Sequence, residues 1–270
     1  MIGIIGSGLM GKSIAIEFAA HQKEVILISI ERNIKPNELQ LEIKEIVSKT
    51  EYSIDEVNQY LKITGDKKEL LKCKLIIEAM SEWIDKKRLN LLSLKEFINS
   101  ECIVCSNTSS LSVKEIFNEI FSIEMVFGLH FFNPVNIMKL VELAYFDSST
   151  KENIETIINL MNSIGKEVIQ VKDSQGYIVN NILIPMINEA AKLLDKKVAS
   201  AEDIDKAMKL GANHPIGPLK LADLIGIDIV LLILNNINNK KEITVAESIE
   251  FKVKNNELGR KTKVGFYNYK

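Results

Sequence analysis

Cysteine is scarce in this chain, with only Cys73, Cys102 and Cys105 among 270 residues. An odd and sparse set cannot form the disulfide framework of a small secreted domain. Cys102 and Cys105 do make a C-x-x-C, but they lie inside the apolar run ECIVCS. There their odd separation turns the two side chains to opposite faces of a strand, and no second Cys/His pair completes a zinc set. Both are read as packed thiols, and no metal is expected. Basic excess is also missing: 34 Lys and Arg against 36 Asp and Glu leave a formal charge of -2, too little to grip a phosphate backbone, so nucleic acid is not an expected partner. No apolar run approaches the ~20 residues that span a bilayer, and the N-terminus enters an apolar strand with no charged leader. A cytoplasmic protein without a membrane partner is expected. Internal repeats and low-complexity tracts are lacking as well.

What is present is globular, with 46% hydrophobic and 26% charged residues, and long enough for one large domain or a medium one with a smaller partner. Residues 1–6 (MIGIIG) and 24–30 (EVILISI) read as strands around the helically spaced LMGKSIAIEFAAH. A charged, helix-favouring region spans 34–61, and further apolar runs follow at 73–79, 102–106 and 124–131. Strands alternating with helices imply a mostly parallel sheet covered on both faces. From about Asp173 the apolar spacing becomes helical throughout, which predicts an all-helical second domain.

Four segments carry candidate chemistry. Gly6-Ser7-Gly8-Leu9-Met10-Gly11 leaves a strand and opens a helix, the context in which glycines admit a dinucleotide's pyrophosphate to a helix N-terminus, although such a turn can also be purely structural. At the end of the second strand, where a ribose-binding carboxylate is expected, stands Ser29, followed by Glu31 and Arg32; a small polar residue with a nearby Arg can accept a 2′-phosphate, so NAD and NADP both remain open. IIEAMSEWIDKK runs off a strand into Glu78, Glu82, Lys86 and Lys87, and SNTSSLSV places Asn107, Thr108, Ser109 and Ser110 on the same rim. Both segments can line a ligand, and both can simply cap the helix that follows. In GLHFFNPVNIMKLVEL one His is wrapped in aromatics and followed by a strand-like segment carrying Glu142. A lone His in an apolar run is ordinarily a packing residue, as His21 and His214 are read; oriented by a carboxylate, however, an imidazole can move a hydroxyl proton.

Taken together and in order, GSGLMG, EAMSEWIDKK, SNTSSLS, GLHFFNPVNIMKLVEL, GYIVNNILIPMINEA, EDIDKAMKLGANHPIGPLKLADLIGID and LGRKTKVGFYNYK resemble the 3-hydroxyacyl-CoA dehydrogenase family from end to end. The resemblance implies an α/β fold: a Rossmann-like N-terminal domain, residues 1–172, with a smaller all-helical C-terminal domain, residues 173–270, that carries substrate contacts and a homodimer interface, and an active site in the cleft between the two. Carried over by position, His130 matches the catalytic base and Glu142 its carboxylate partner, while Ser109 and Asn180 match residues that contact the substrate. Glu82 and Lys87 match positions on the nicotinamide side, and with Gly6, Gly8, Leu9, Met10, Gly11, Ser29, Arg32 and Asn107 they make up the expected cofactor set. The implied activity is hydride transfer between NAD or NADP and a short-chain 3-hydroxyacyl-CoA of the 3-hydroxybutyryl type. The alternatives are a dehydrogenase of the same fold acting on a free hydroxy or sugar acid, and a non-catalytic dinucleotide-binding protein. Some residues depart from the family: Ser29 replaces the acid, Gln175-Gly176-Tyr177 stands for Pro-Gly-Phe, and Asn181 stands where an Arg is common. The CoA contacts expected in 34–61 are represented only by scattered lysines such as Lys35, Lys44 and Lys49.

Overall fold

A computed structural model describes residues 1–30, 35–238 and 243–270. The chain divides into two compact units, Met1–Ser174 and Gln175–Lys270.

In the first unit Ile2–Ile5 (β1), buried throughout, passes through the glycine turn into Leu9–Ala20 (α1), in which every residue from Gly11 to Ala19 is buried. Val25–Ile28 (β2), Pro36–Val47 (α2), Ile54–Tyr60 (α3) and Leu61–Thr64 (β3) follow. Next come Leu75–Glu78 (β4), Ile84–Leu94 (α4), Ile103–Ser106 (β5), Val113–Phe117 (α5) and Val126–Phe131 (β6). Leu140–Tyr145 (β7), Lys151–Asn162 (α6) and Glu167–Lys172 (β8) complete the unit. The eight strands lie in the order β3-β2-β1-β4-β5-β6-β7-β8. The first six run parallel, and β7 turns back antiparallel to β6 and carries β8 parallel to itself. The reversal of strand order between β1 and β4 opens a crevice at the carboxyl ends of the strands, where sheets of this kind take their ligands. The α/β expectation is met. β3 was not foreseen, because LKIT is a short edge strand inside a charged stretch and an edge needs little apolar sequence.

Strand alternation fixes which side chains share a face. Ile77, Cys105, Phe127, Leu129, Phe131, Val141 and Leu143 enter one apolar cluster together with Ile14 and Phe18 of α1. Glu78, Ser106, His130 and Glu142, each one residue out of phase with that set, therefore point to the opposite face. The three cysteines are buried, and burial pushes the Cys73 thiol up to about 11 and the Cys102 thiol up to about 12.

The second unit is helical, as expected: Val179–Asp195 (α7), Ala201–Gly211 (α8), Pro218–Ile225 (α9), Ile227–Ile237 (α10) and Glu247–Lys254 (α11). Ile184, Ile187, Leu219, Val230, Leu234 and Ile249 form its core. Two buried carboxylates tie this unit together. Asp205 accepts the Leu219 and Lys220 amides at the start of α9 at 2.8 and 2.9 Å, and Asp223 accepts the Phe266 and Tyr267 amides of the C-terminal segment at 2.8 and 2.9 Å. No helix among the described residues is long and apolar enough to cross a membrane.

Candidate active site

The turn after β1 is built for close approach. Gly6 has φ +112°, and a Cβ there would lie 2.6 Å from the Ala79 carbonyl oxygen; a Cβ on Gly11 would lie 1.9 Å from the Gly6 oxygen. Both positions require glycine to let α1 pack against the strand end. At Gly8 a Cβ would meet nothing within 4 Å, and no side chain caps the start of α1 there. Bare backbone facing open space at a helix N-terminus, with Leu9 half exposed beside it and Met10 completing the first turn, fits a pyrophosphate. At the neighbouring strand end the Ser29 hydroxyl lies 2.7 Å from that of Ser7, so a hydroxyl stands where a ribose-binding carboxylate was expected. Arg32 and Glu31 lie outside the described residues.

At the next strand end the charges are internal. Glu78 closes β4 and is fully buried, as is Lys87 on the first turns of α4, and their ion pair measures 2.6 Å. The Ser106 hydroxyl, on the neighbouring strand in direct register, donates to the second Glu78 oxygen at 2.6 Å, and the Met80 amide donates to the first at 2.7 Å. Lys87 also reaches Glu82 at 3.5 Å. One Glu82 oxygen gathers the Thr108 hydroxyl at 2.6 Å and the Ser109 and Ser110 amides at 2.8 and 3.0 Å. Burial pushes Glu82 up, but Lys87 and these donors outweigh it and hold the carboxyl below its ordinary range. Burial likewise opposes the Lys87 charge, and the carboxylates of Glu78 and Glu82 overcome it. Thus the segment after β4 fixes the Thr108–Ser110 loop after β5, and Lys87 acts on that loop through Glu82. The Ser106–Glu78 link was not legible beforehand, because a serine closing an apolar strand carries no signal of its partner.

His130 and Glu142 are directly opposed residues of the antiparallel β6–β7 pair. Opposed residues share a face with their Cβ atoms close together, and here His130 Nδ1 lies 2.8 Å from Glu142 Oε2, both side chains being buried. A proton on Nδ1 donated to the carboxylate fixes the tautomer and leaves the Nε2 lone pair as the basic site. The backbone around His130 is braced: the Phe131 amide donates to Asn107 Oδ1 at 2.9 Å, and the Phe132 ring lies 4.4 Å from the imidazole. By contrast, His21 merely bonds the Glu17 carbonyl at the end of α1, through Nδ1 at 2.8 Å.

Gly6, Gly8, Leu9, Met10, Gly11, Ser29, Glu82, Lys87, Asn107, Ser109, His130 and Glu142 all belong to the first unit; most lie at or just beyond strand ends, whereas Lys87 lies within α4 and Glu142 within β7. Asn180 lies in the first turn of α7 in the second unit and is buried. Its neighbour Asn181, in the position where an Arg is common, donates its amide to the Gln175 and Tyr177 carbonyls at 2.7 and 2.6 Å. That clamp holds a turn in which Gly176 has φ +78° and any Cβ would meet Ile237 at 2.6 Å.

The comparisons agree with this geometry. The model of the 3-hydroxyacyl-CoA dehydrogenase NAD binding domain matches residues 1–174, and that of the family's C-terminal domain matches residues 176–269. A 3-hydroxybutyryl-CoA dehydrogenase of Clostridioides difficile is 40% identical over 99% of both chains, and one of Bradyrhizobium diazoefficiens is 36% identical over 100% of this chain and 95% of its own. The crystal structure of (S)-3-hydroxybutyryl-CoA dehydrogenase from Ralstonia eutropha, 33% identical, superposes with a TM-score of 0.89 and covers 100% of this chain and 98% of that one. A glycine turn shaped for a dinucleotide, a histidine–carboxylate pair on the same sheet, and matches to both family domains lead to one conclusion: the chain belongs to the 3-hydroxyacyl-CoA dehydrogenase family and is an NAD(P)-dependent oxidoreductase.

Proposed function

We propose that the protein interconverts a short-chain (S)-3-hydroxyacyl-CoA, 3-hydroxybutyryl-CoA, and the corresponding 3-ketoacyl-CoA, acetoacetyl-CoA, with His130 and Glu142 as the proton-transfer pair. The observation that carries this reading is the 2.8 Å bond from Nδ1 to a buried carboxylate at the rim that the glycine turn shares. In the oxidative direction Nε2 of His130 takes the hydroxyl proton, and Glu142 stabilises the imidazolium that results. In the reductive direction the protonated ring returns the proton to the carbonyl oxygen. The nicotinamide, when bound, supplies the hydride chemistry that side chains lack. Ser109 and Asn180 hold the substrate oxygens in this scheme, and Glu82, itself anchored by Lys87, sets the Thr108–Ser110 loop from which Ser109 projects. The four-carbon substrate is favoured because the relatives named for 3-hydroxybutyryl-CoA match over nearly their full length.

A homodimer formed through the second unit, in the cytoplasm, belongs to the same proposal. Ile182, Leu210, Leu224 and Phe251 are 50–76% exposed, apolar surface that a second copy would cover; light scattering at micromolar concentration should give twice the chain mass. The activity is tested by NAD(P)H consumption. It should be rapid with acetoacetyl-CoA, slower with a longer 3-ketoacyl-CoA and absent with free acetoacetate; equal rates with the free acid would show that the CoA moiety is not recognised.

A further inference from the structure

Glu17 is the only carboxylate of α1 and sits in the apolar stretch IAIEFAA, 2% exposed. Its partner is Lys166, 4% exposed, between α6 and β8, at 2.6 Å. The pair lies apart from the Glu78–Lys87 and His130–Glu142 pairs and makes none of their contacts. An ammonium has three N–H donors, and each finds an acceptor: Glu17 Oε1, the Val135 carbonyl at 2.5 Å and the Met138 carbonyl at 3.3 Å. Val135 and Met138 belong to the connection that leaves β6 after His130 and enters β7 ahead of Glu142. The second Glu17 oxygen accepts the Tyr52 hydroxyl at 2.9 Å, and burial together with the Glu17 charge raises the Tyr52 phenol, which keeps it a donor. Phe131, next to His130, packs edge-on against Phe18, next to Glu17, with centroids 6.3 Å apart.

As a source of stability this arrangement is poor, because desolvation of two charges largely offsets their attraction and an apolar pair of equal volume would hold the core as well. What an apolar pair cannot do is hold two buried carbonyls at fixed points. We propose that Lys166, with Glu17 and Tyr52 behind it, is a positioning residue: it sets the path of the β6–β7 connection and thereby the alignment in which His130 Nδ1 meets Glu142. This inference rests on the proposal that His130 and Glu142 are the proton-transfer pair.

The test uses full-length Lys166→Met and Tyr52→Phe proteins with His130→Gln as the control. In the cofactor-free protein the low-field imidazole N–H proton, assigned by its loss in His130→Gln, reports the His130–Glu142 bond directly. Lys166→Met should shift or broaden that signal and lower kcat about 10- to 100-fold, since misplacement by 1 Å costs that order. KM for acetoacetyl-CoA and the NADH Kd should stay within about twofold, the signature of an effect confined to the transition state. Tyr52→Phe keeps both charges and should move the same signal and kcat less, in the same direction. A folded Lys166→Met protein with wild-type signal and kcat overturns the inference, whatever its melting temperature. Should Lys166→Met fail to fold, wild-type behaviour of Tyr52→Phe overturns it equally. Retained turnover in His130→Gln would sink the catalytic proposal instead, and the N–H signal would still report whether Lys166 positions the pair.

Discussion

Replacing Glu142 by Gln isolates the electrostatic part of the chemistry, because it keeps the size and a hydrogen-bonding group but removes the charge. In the proposed reaction His130 takes the substrate proton and becomes cationic beside a carboxylate 2.8 Å away. At an effective dielectric of about 20, two unit charges at that distance attract by about 6 kcal/mol. The neutral imidazole already holds a charge-assisted hydrogen bond to the carboxylate worth about 2 kcal/mol, so about 4 kcal/mol belongs to the transition state alone. At about 1.4 kcal/mol per decade this is roughly 10³ in rate, and incomplete proton transfer at the summit lowers the expectation to about 10²–10³. kcat for oxidation of 3-hydroxybutyryl-CoA, followed by NAD(P)H absorbance, should fall by that factor in Glu142→Gln and by at least ~10² in His130→Gln. Cofactor affinity, read by fluorescence titration, should be unchanged in both. If either variant kept more than about half of wild-type turnover, the pair could not be the acid–base device.

Three further outcomes follow from the residues beyond the other strand ends. Lys87→Met leaves the buried Glu78 carboxylate, among the described residues, with Ser106 and Met80 as its donors and should cost about 3–5 kcal/mol in urea unfolding; a loss below about 1 kcal/mol would mean that Glu78 is not charged in the fold. Glu82 is held below its ordinary pKa, so its stabilisation is present above the unfolded carboxylate value of about 4.3 and is lost as pH falls through the folded value; the stability gap between wild type and Glu82→Gln should shrink as pH falls below about 5, and a constant gap would refute the assigned charge. Ser29 stands where a ribose-binding acid is expected, so NADPH should serve at least comparably to NADH, and Ser29→Asp should shift the kcat/KM ratio toward NADH by about tenfold or more; a strong wild-type preference for NADH that the substitution leaves unmoved would place the ribose contact elsewhere.

Much of this architecture was legible where the signal is local. The turn from Gly6 to Gly11 reads from its own residues, because strand, glycines and helix follow one another in the chain, and the helical period after Asp173 needs no partner to be recognised. The pairing of His130 with Glu142 was not readable in that way. Period-two alternation shows that both lie on strands, but it does not show that β7 runs antiparallel in an otherwise parallel sheet, and that direction is what sets them face to face. The family resemblance supplied the pairing, and the register gave its physical cause. Among Lys86, Lys87 and Arg88, three consecutive cations at the start of α4, helix geometry alone decides that Lys87 turns inward to Glu78.

Glu17 carried a signal that is easily passed over. A single carboxylate in an otherwise apolar helix face cannot remain buried and charged alone, so its presence demands a cation elsewhere in the chain, and Lys166, flanked by Gly165 and the start of an edge strand, gives no local hint that it is the one. The two kinds of buried charge do different work, and their partners show it. Glu78 and Glu82 collect hydroxyls, amides and the ammonium of Lys87 at the crevice rim, so substitutions there should act on the Thr108–Ser110 loop as well as on the fold. Lys166 gives two of its three protons to carbonyls of the connection beyond His130, so its substitution should act on where β6 and β7 lie. A charge that answers mainly to backbone carbonyls is better understood through the path of the chain it holds than through the stability it adds.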